Sequence, residues 1–278
     1  MCGLFGLIRF GNSTSHNMPG ETLRREQILD VVKILGEENA YRGRDATGLL
    51  SIGEEWNSIK VLKRPVSAGI LLNSELYREW INNQNLEKCK VVLGHTRQST
   101  GGSPSNNLNN HPVIYGKAAG VHNGWVDEHQ EVFKEEGLAR KAEVDTEALV
   151  ALFHKYSSKK DDLVKAISGK YHWSGSLIAI VSDSKNRIYI ANARSRGNLY
   201  MAWLPTYRIS VISSTKPSIK RVLREVFKDN RVSVTDISSN GLSVYTITSN
   251  FVDTEYTHFE VKSPTNTALG RRTHLYPC

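Results

Sequence analysis

Apolar positions along the chain fall into short blocks, and their spacing switches between two periods. Cys2 to Phe10 is short, apolar and punctuated by Gly, and reads as a strand. Glu21 to Asn39 predicts a helix, because Ile28, Val31, Val32 and Leu35 recur at i, i+3, i+4 and i+7. Gly48 to Ile52 and Ile59 to Val66 read as strands, and Leu76 with Trp80 marks a short helix. Val91-Val92-Leu93 predicts a buried strand that runs into Gly94-His95-Thr96-Arg97. Gly101 to Pro112, rich in Gly, Ser, Asn and Pro, reads as a loop. Ala118 to His122 is strand-like and is expected to end at Asn123-Gly124.

Glu128 to Glu136 and Asp145 to Tyr156 predict helices. The second carries Leu149, Leu152, Phe153 and Tyr156 on one face, with Asp145 as its N-cap. Ser176–Val181 and Arg187–Ala191 flank a turn-rich Ser182 to Asn186, the mark of a hairpin. Leu199–Trp203 and Ile209–Ser213 are further strands, and Pro217 opens a helix holding Ile219, Val222, Leu223 and Val226. Leu242–Ile247 and Phe259–Val261 are the last strands. No repeat, linker or low-complexity tract divides the chain. The expectation is one α+β domain over residues 1–278, with about 250–278 as terminal strand and tail.

Composition narrows the class. Of 278 residues, 39% are hydrophobic and 23% charged, which excludes a wholly disordered chain. No apolar run approaches the roughly 20 residues that span a bilayer, and the start lacks a basic leader and a long apolar segment. Three cysteines, Cys2, Cys89 and Cys278, make neither a disulfide framework nor a zinc site. Their odd count points to a reducing compartment, the cytoplasm. The net charge of +8 permits contact with nucleic acid or an acidic partner. Lys and Arg are spread rather than clustered, and the aromatic residues form no stacking motif, so neither partner is indicated.

Candidate chemistry starts at Cys2. Removal of Met1 is expected, and it would place a thiol and a free α-amine on one residue. A thiol ordinarily titrates at about 8.5 and an α-amine at about 7.7–8.0, so the amine can take the thiol proton near neutral pH and return it to a leaving group. The competing reading is a small buried Cys in the first strand. Asn123 and Gly124 offer a side-chain amide and a backbone N–H to a developing oxyanion, or equally a type I′ turn. Arg97, at a strand end, can grip a carboxylate. Asp145, at a helix start, can pair with an ammonium. Together they suit the head of a free amino acid; separately each is an ordinary ion-pair member or cap. Arg42 to Gly48 lacks P-loop spacing and is not a nucleotide site. His95 and His111 read as hydrogen-bonded core or loop histidines rather than metal ligands. Cys89, between two lysines, reads as a solvated surface thiol.

The ordered set of segments resembles the class II glutamine amidotransferase domain, a branch of the N-terminal-nucleophile hydrolases. The segments are Met1-Cys2-Gly3-Leu4-Phe5-Gly6, Tyr41 to Gly48, Gly94 to Gly102, Asn109-Asn110-His111-Pro112, Val121-His122-Asn123-Gly124, Asp145-Thr146-Glu147 and Gly175-Ser176. They follow family order from residue 1 to about 250. The resemblance implies a four-layer αββα sandwich and hydrolysis of L-glutamine to glutamate and ammonia. It implies Cys2 as nucleophile with its own amine as base, and Asn123 and Gly124 as the oxyanion hole. Arg97 would hold the substrate carboxylate and Asp145 its ammonium, with Thr100 and its loop ordering over the substrate. No cofactor or metal is implied.

Two positions depart from the pattern. Residue 98 is Gln, where the aminosugar-synthesising members carry an aromatic, and residue 101 is Gly, where they carry His. A more mobile lid is the expectation. Family members usually fuse this domain to an acceptor domain, and this chain is similar to the free-standing members. The first expectation is therefore a glutaminase subunit feeding a separate acceptor (synthase) enzyme. The alternatives are a hydrolase of a γ-glutamyl or related amide conjugate, or a non-catalytic regulatory module of the same fold.

Overall fold

The first strand, β1 (Gly3–Arg9), shows how the sandwich is built. Leu4 and Ile8 point one way and Phe5 and Leu7 the other, and all four are buried. A strand buried on both faces reads as a continuous apolar run, which is why these segments lack clean alternation. A computed structural model of the chain describes residues 1–10, 21–53, 59–182, 187–193, 198–238, 242–248 and 254–259.

In chain order, β1 is followed by α1 (Arg25–Asn39), β2 (Ala46–Ile52), β3 (Ile59–Arg64), α2 (Ala68–Leu72) and α3 (Glu75–Asn82). Then come β4 (Val91–Arg97), β5 (Val113–Tyr115), β6 (Ala118–Val126), α4 (His129–Glu136), α5 (Thr146–Lys155) and α6 (Lys160–Lys165). The remainder is β7 (Trp173–Val181), β8 (Arg187–Ala193), β9 (Tyr200–Leu204), β10 (Ile209–Ser213), α7 (Lys216–Glu225), β11 (Thr235–Asp236), β12 (Leu242–Thr248) and β13 (Thr254–Phe259).

Two antiparallel sheets result. One has the order β11-β9-β10-β1-β4-β2-β3 and the other β13-β12-β8-β7-β6-β5. Leu4, Ile8, Leu50, Leu93, Val121, Ile178, Ile190 and Ile212 pack in the layer between the sheets. The outer face of the first sheet is covered by α1, α2, α3 and α7, through Ile28, Val31, Leu35, Leu71, Ile219 and Val222. The outer face of the second is covered by α4, α5 and α6, through Val132, Phe133, Leu149, Leu152, Phe153 and Leu163. The architecture is the four-layer αββα sandwich.

Several elements differ in extent from the sequence pattern. α1 begins at Arg25 rather than Glu21, because the Glu21 N–H donates to Thr206 O at 2.8 Å and holds the preceding segment extended. β6 does not stop at Asn123-Gly124 but runs to Val126, pairing Asn123 with Ser176 and Gly124 with Gly175. The type I′ turn reading is therefore set aside. α6 is too short and too polar to carry a periodic signal. Cys89 is buried and donates from Sγ to Asn85 O at 3.4 Å, and burial pushes its thiol up, so it is not a solvated surface thiol. Cys278, Val261, the centre of the Ser182–Asn186 turn and the tail lie outside the described residues.

Candidate active site

Cys2 sits at the entrance to β1 in one sheet, while Asn123 and Gly124 lie within β6 of the other. The Cys2 backbone N–H donates to Asn123 Oδ1 at 3.0 Å, which joins the two sheets at this point. The Cys2 carbonyl accepts from Arg42 Nε at 2.8 Å. Cys2 Sγ accepts from the Gln98 N–H at 3.4 Å and donates to Gln98 O at 3.6 Å. Burial pushes the thiol up from its ordinary value. The Gln98 N–H, the ammonium at the start of the chain and Arg97 pull the other way, and Asp145 adds to the rise.

Glycine at 124 is required by close packing. A Cβ there would lie 1.8 Å from Ser174 O and 2.5 Å from His122 Nε2. Its cross-strand partner Gly175 has φ +110°, and a Cβ on it would lie 2.1 Å from Asn123 O.

Beneath this corner lies a histidine network. His122 Nε2 is 3.0 Å from Ser174 O, so that nitrogen carries the proton and donates. His122 Nδ1 is then an acceptor for the Thr146 hydroxyl at 3.1 Å. The hydroxyl in turn accepts from His111 Nε2 at 3.0 Å. His95 Nε2 donates to His122 O at 3.1 Å, and the His95 and His111 rings stack at 4.1 Å. Burial pushes all three histidines down, His95 to about 3, so they are neutral at pH 7. The expectation that His95 and His111 are hydrogen-bonded interior residues agrees with this placement.

Arg97, at the end of β4, donates through Nη1 to Asn110 Oδ1 at 3.0 Å and through Nη2 to Gly101 O and Gly102 O, the latter at 2.9 Å. It thereby anchors its own loop. Ser99 Oγ donates to Gly102 O at 3.1 Å. The loop expected to be a more mobile lid is thus tied at several points. Asp145 caps α5: Oδ1 accepts from Thr146 N and Oδ2 from Val126 N, each at 2.8 Å. Thr100 is exposed.

Cys2, Arg97, Thr100, Gly124 and Asp145 all line one pocket of about 130 Å³. Trp125, His129 and Glu143 line it too, and the sequence reading missed them. Trp125 follows the His-Asn-Gly segment directly, so adjacency was the available signal. His129 and Glu143 carry no spacing that would single them out. A wider groove of about 360 Å³ between α1 and α7 is lined by Asp30, Lys33, Glu37, Arg221 and Glu225, with no nucleophile. Among the described residues no group of three or more His, Cys, Asp or Glu is placed to hold a metal ion.

No family model matches the chain. A glutamine–fructose-6-phosphate aminotransferase (isomerizing) of Sulfurisphaera tokodaii is 26% identical over 245 residues, covering 84% of this chain and 36% of that protein. The chain spans about a third of that relative's length. Among solved structures, the glutamine phosphoribosylpyrophosphate amidotransferase of B. subtilis superposes with TM-score 0.58 at 15% identity, over 91% of this chain and 50% of that one. A glutamine aminotransferase class-II domain protein from Silicibacter pomeroyi gives TM-score 0.50 at 14% identity, over 94% of this chain and 100% of that one. The chain resembles the class II glutamine amidotransferase domain. Its αββα layers are the architecture of that class. Cys2, Arg97, Thr100, Gly124 and Asp145 line one pocket here, and Asn123 meets it through the Cys2 N–H. Among the described residues no helix is long and apolar enough to cross a membrane.

Proposed function

We propose that this chain is a glutaminase, converting L-glutamine to glutamate and ammonia through a Cys2 thioester and passing the ammonia to a separate acceptor enzyme. One observation carries the reading. The Cys2 N–H meets Asn123 Oδ1 at 3.0 Å beside a pocket that also holds Gly124, Arg97 and Asp145. We take residues 1–278 as a single domain of this kind. Cys2 and Cys89 are free thiols, which suits a reducing cytoplasm.

The reaction needs a free amine on Cys2, so the residue ahead of it is removed first. That amine takes the thiol proton. The thiolate attacks the side-chain amide carbon of glutamine, and the carbonyl oxygen becomes an oxyanion. Asn123 Nδ2 and the Gly124 N–H stabilise it; one such donor is typically worth about 10²–10³ in kcat. The amine returns the proton to the departing nitrogen, ammonia leaves, and a γ-glutamyl thioester remains. Water, deprotonated by the same amine, then hydrolyses the thioester to glutamate. Arg97 faces the substrate carboxylate with the N–H groups its loop leaves free. Asp145 faces the ammonium, since each carboxylate oxygen keeps a lone pair beyond the backbone N–H it accepts.

The test is Cys2→Ala. It is expected to abolish ammonia release from glutamine while the circular dichroism spectrum is unchanged. Turnover that persists in the folded variant sinks the proposal.

A further inference from the structure

The segment from Arg42 to Gly48 is unused by the reaction above, yet it embraces the nucleophile. Arg42 Nε holds the Cys2 carbonyl at 2.8 Å. Gly43 presses on the Arg97–Gln98 peptide so closely that a Cβ would lie 2.3 Å from Arg97 C and 2.5 Å from Gln98 N. Asp45 grips the same peptide and the one after it. Its N–H donates to Arg97 O at 3.0 Å, and its Oδ2 accepts from Ser99 N at 2.7 Å and from Gln98 Nε2 at 3.2 Å. The Gln98 N–H fixed between these bonds is the group that donates to Cys2 Sγ at 3.4 Å.

We propose that Asp45 is a positioning residue for the nucleophile: by clamping the Gln98 peptide it aims the Gln98 N–H at the Cys2 sulfur and stabilises the thiolate. The proposal rests on the glutaminase reading only in taking Cys2 as the nucleophile. The amine at the chain start and Arg97 also favour the thiolate, and Asp145 opposes it. An Asp45 substitution leaves all three in place. The Asp45 carboxylate is itself an anion, so its removal as a mere charge would favour the thiolate and lower the thiol pKa. Loss of the clamp has the opposite sign.

The experiment follows the pH dependence of Cys2 alkylation by iodoacetamide in the full, N-terminally processed chain, read from the mass of the N-terminal peptide. The Cys89 peptide is the internal control. Asp45→Ala is expected to raise the midpoint for Cys2 by about one pH unit, a roughly tenfold slower reaction below it. Asp45→Asn, whose amide oxygen can still accept the Ser99 N–H, is expected to keep the midpoint near that of the parent. An unchanged or lowered midpoint in folded Asp45→Ala overturns the proposal. Should that variant not fold, Gln98→Ala removes only the 3.2 Å bond; Cys2 alkylation about threefold slower than in the parent below the midpoint is then expected, and no slowing overturns the proposal equally. Alkylation needs no glutamine turnover. An inactive parent chain that still shows the Asp45 effect therefore refutes the glutaminase reading and leaves this one standing.

Discussion

Gly124 and Gly175 are the residues at which the site tolerates least. A methyl on Gly124 meets Ser174 O, and one on Gly175 meets Asn123 O while also sitting at φ +110°. Gly124→Ala is expected to push β6 and β7 apart at the proposed oxyanion hole and to lower kcat by on the order of 10²-fold, with KM changed far less. Steady-state kinetics on glutamine check this; a parallel rise in KM would move the corner into ground-state binding. The buried histidines give a second expectation. His95, His111 and His122 titrate below their unfolded value of about 6.5, so the unfolded chain binds protons that the folded chain refuses. Their stabilisation is fully present above about pH 6.5 and is lost as pH falls toward the folded values, about 3 for His95. Each histidine contributes about 1 kcal/mol per pH unit in that window. His129 and His154 are shifted the same way, whereas the strongly depressed Glu136, held by Lys155, Lys170, Tyr171 and Tyr156, acts only at lower pH. Urea midpoints should fall steeply between about pH 6.5 and about pH 5; a flat profile there contradicts the neutral network. At this scale the sequence exposed the thiol, the amide and the ion-pairing residues, because each has chemistry of its own. It did not expose Thr146 as the bridge between the His111 and His122 imidazoles, since a bridging hydroxyl has no signature until the strands bring its partners together.

Elements were legible where one face differs from the other. α1 is an example, with Ile28, Val31, Val32 and Leu35 on its buried side; α5, buried all along Thr146–Phe153, was legible from its apolar content and the Asp145 cap. Phe153 is fully buried and meets Tyr189 edge-on at 5.1 Å. Phe153→Ala is expected to cost about 3–5 kcal/mol of stability, measured by denaturant unfolding. It also loosens the helix whose first turn carries Asp145 and Thr146, so the KM for glutamine should rise with it. A stability loss with an unaltered KM would mean that the cap holds its place without the packing beneath it. Asn123-Gly124 shows where element reading fails. The pair has the chemistry of a tight turn, yet Gly175 opposite and the glycine itself let two backbones close up inside a continuing ladder. Pairing across the sheet overrides a local preference that a single strand cannot reveal. α6, six residues long and rich in Lys and Asp, had no apolar stripe to announce it.

At the scale of the molecule, the site exists only while two sheets stay together. Cys2 hangs from the first sheet and Asn123 from the second, and the bond between them spans 121 positions of sequence. Arg97 belongs to β4 of the first sheet and Asp145 caps a helix on the second. The layer that joins the sheets is wholly apolar at its centre, with Leu4, Ile8, Leu93, Val121, Ile178 and Ile190 almost without solvent contact. Such a layer gives no partial stability to a half-open sandwich, because separating the sheets exposes all of it at once at roughly 25 cal/mol per Å². The amino-acid recognition proposed for the pocket should therefore vanish with global unfolding and not before it. In the proposed function an electrophile that mimics glutamine engages Arg97, Asp145 and Cys2 together, so its labelling of Cys2 reports the closed pair of sheets. Labelling followed by intact mass across a urea series is expected to fall with the same midpoint as tryptophan fluorescence, with Trp173, buried on the helix-covered face of the second sheet, contributing to that signal. A labelling midpoint well below the fluorescence midpoint would mean that the sheets part at the site while their helical layers persist. The single bond from Cys2 to Asn123, rather than the apolar layer, would then be what keeps Cys2 beside Asn123 and Gly124.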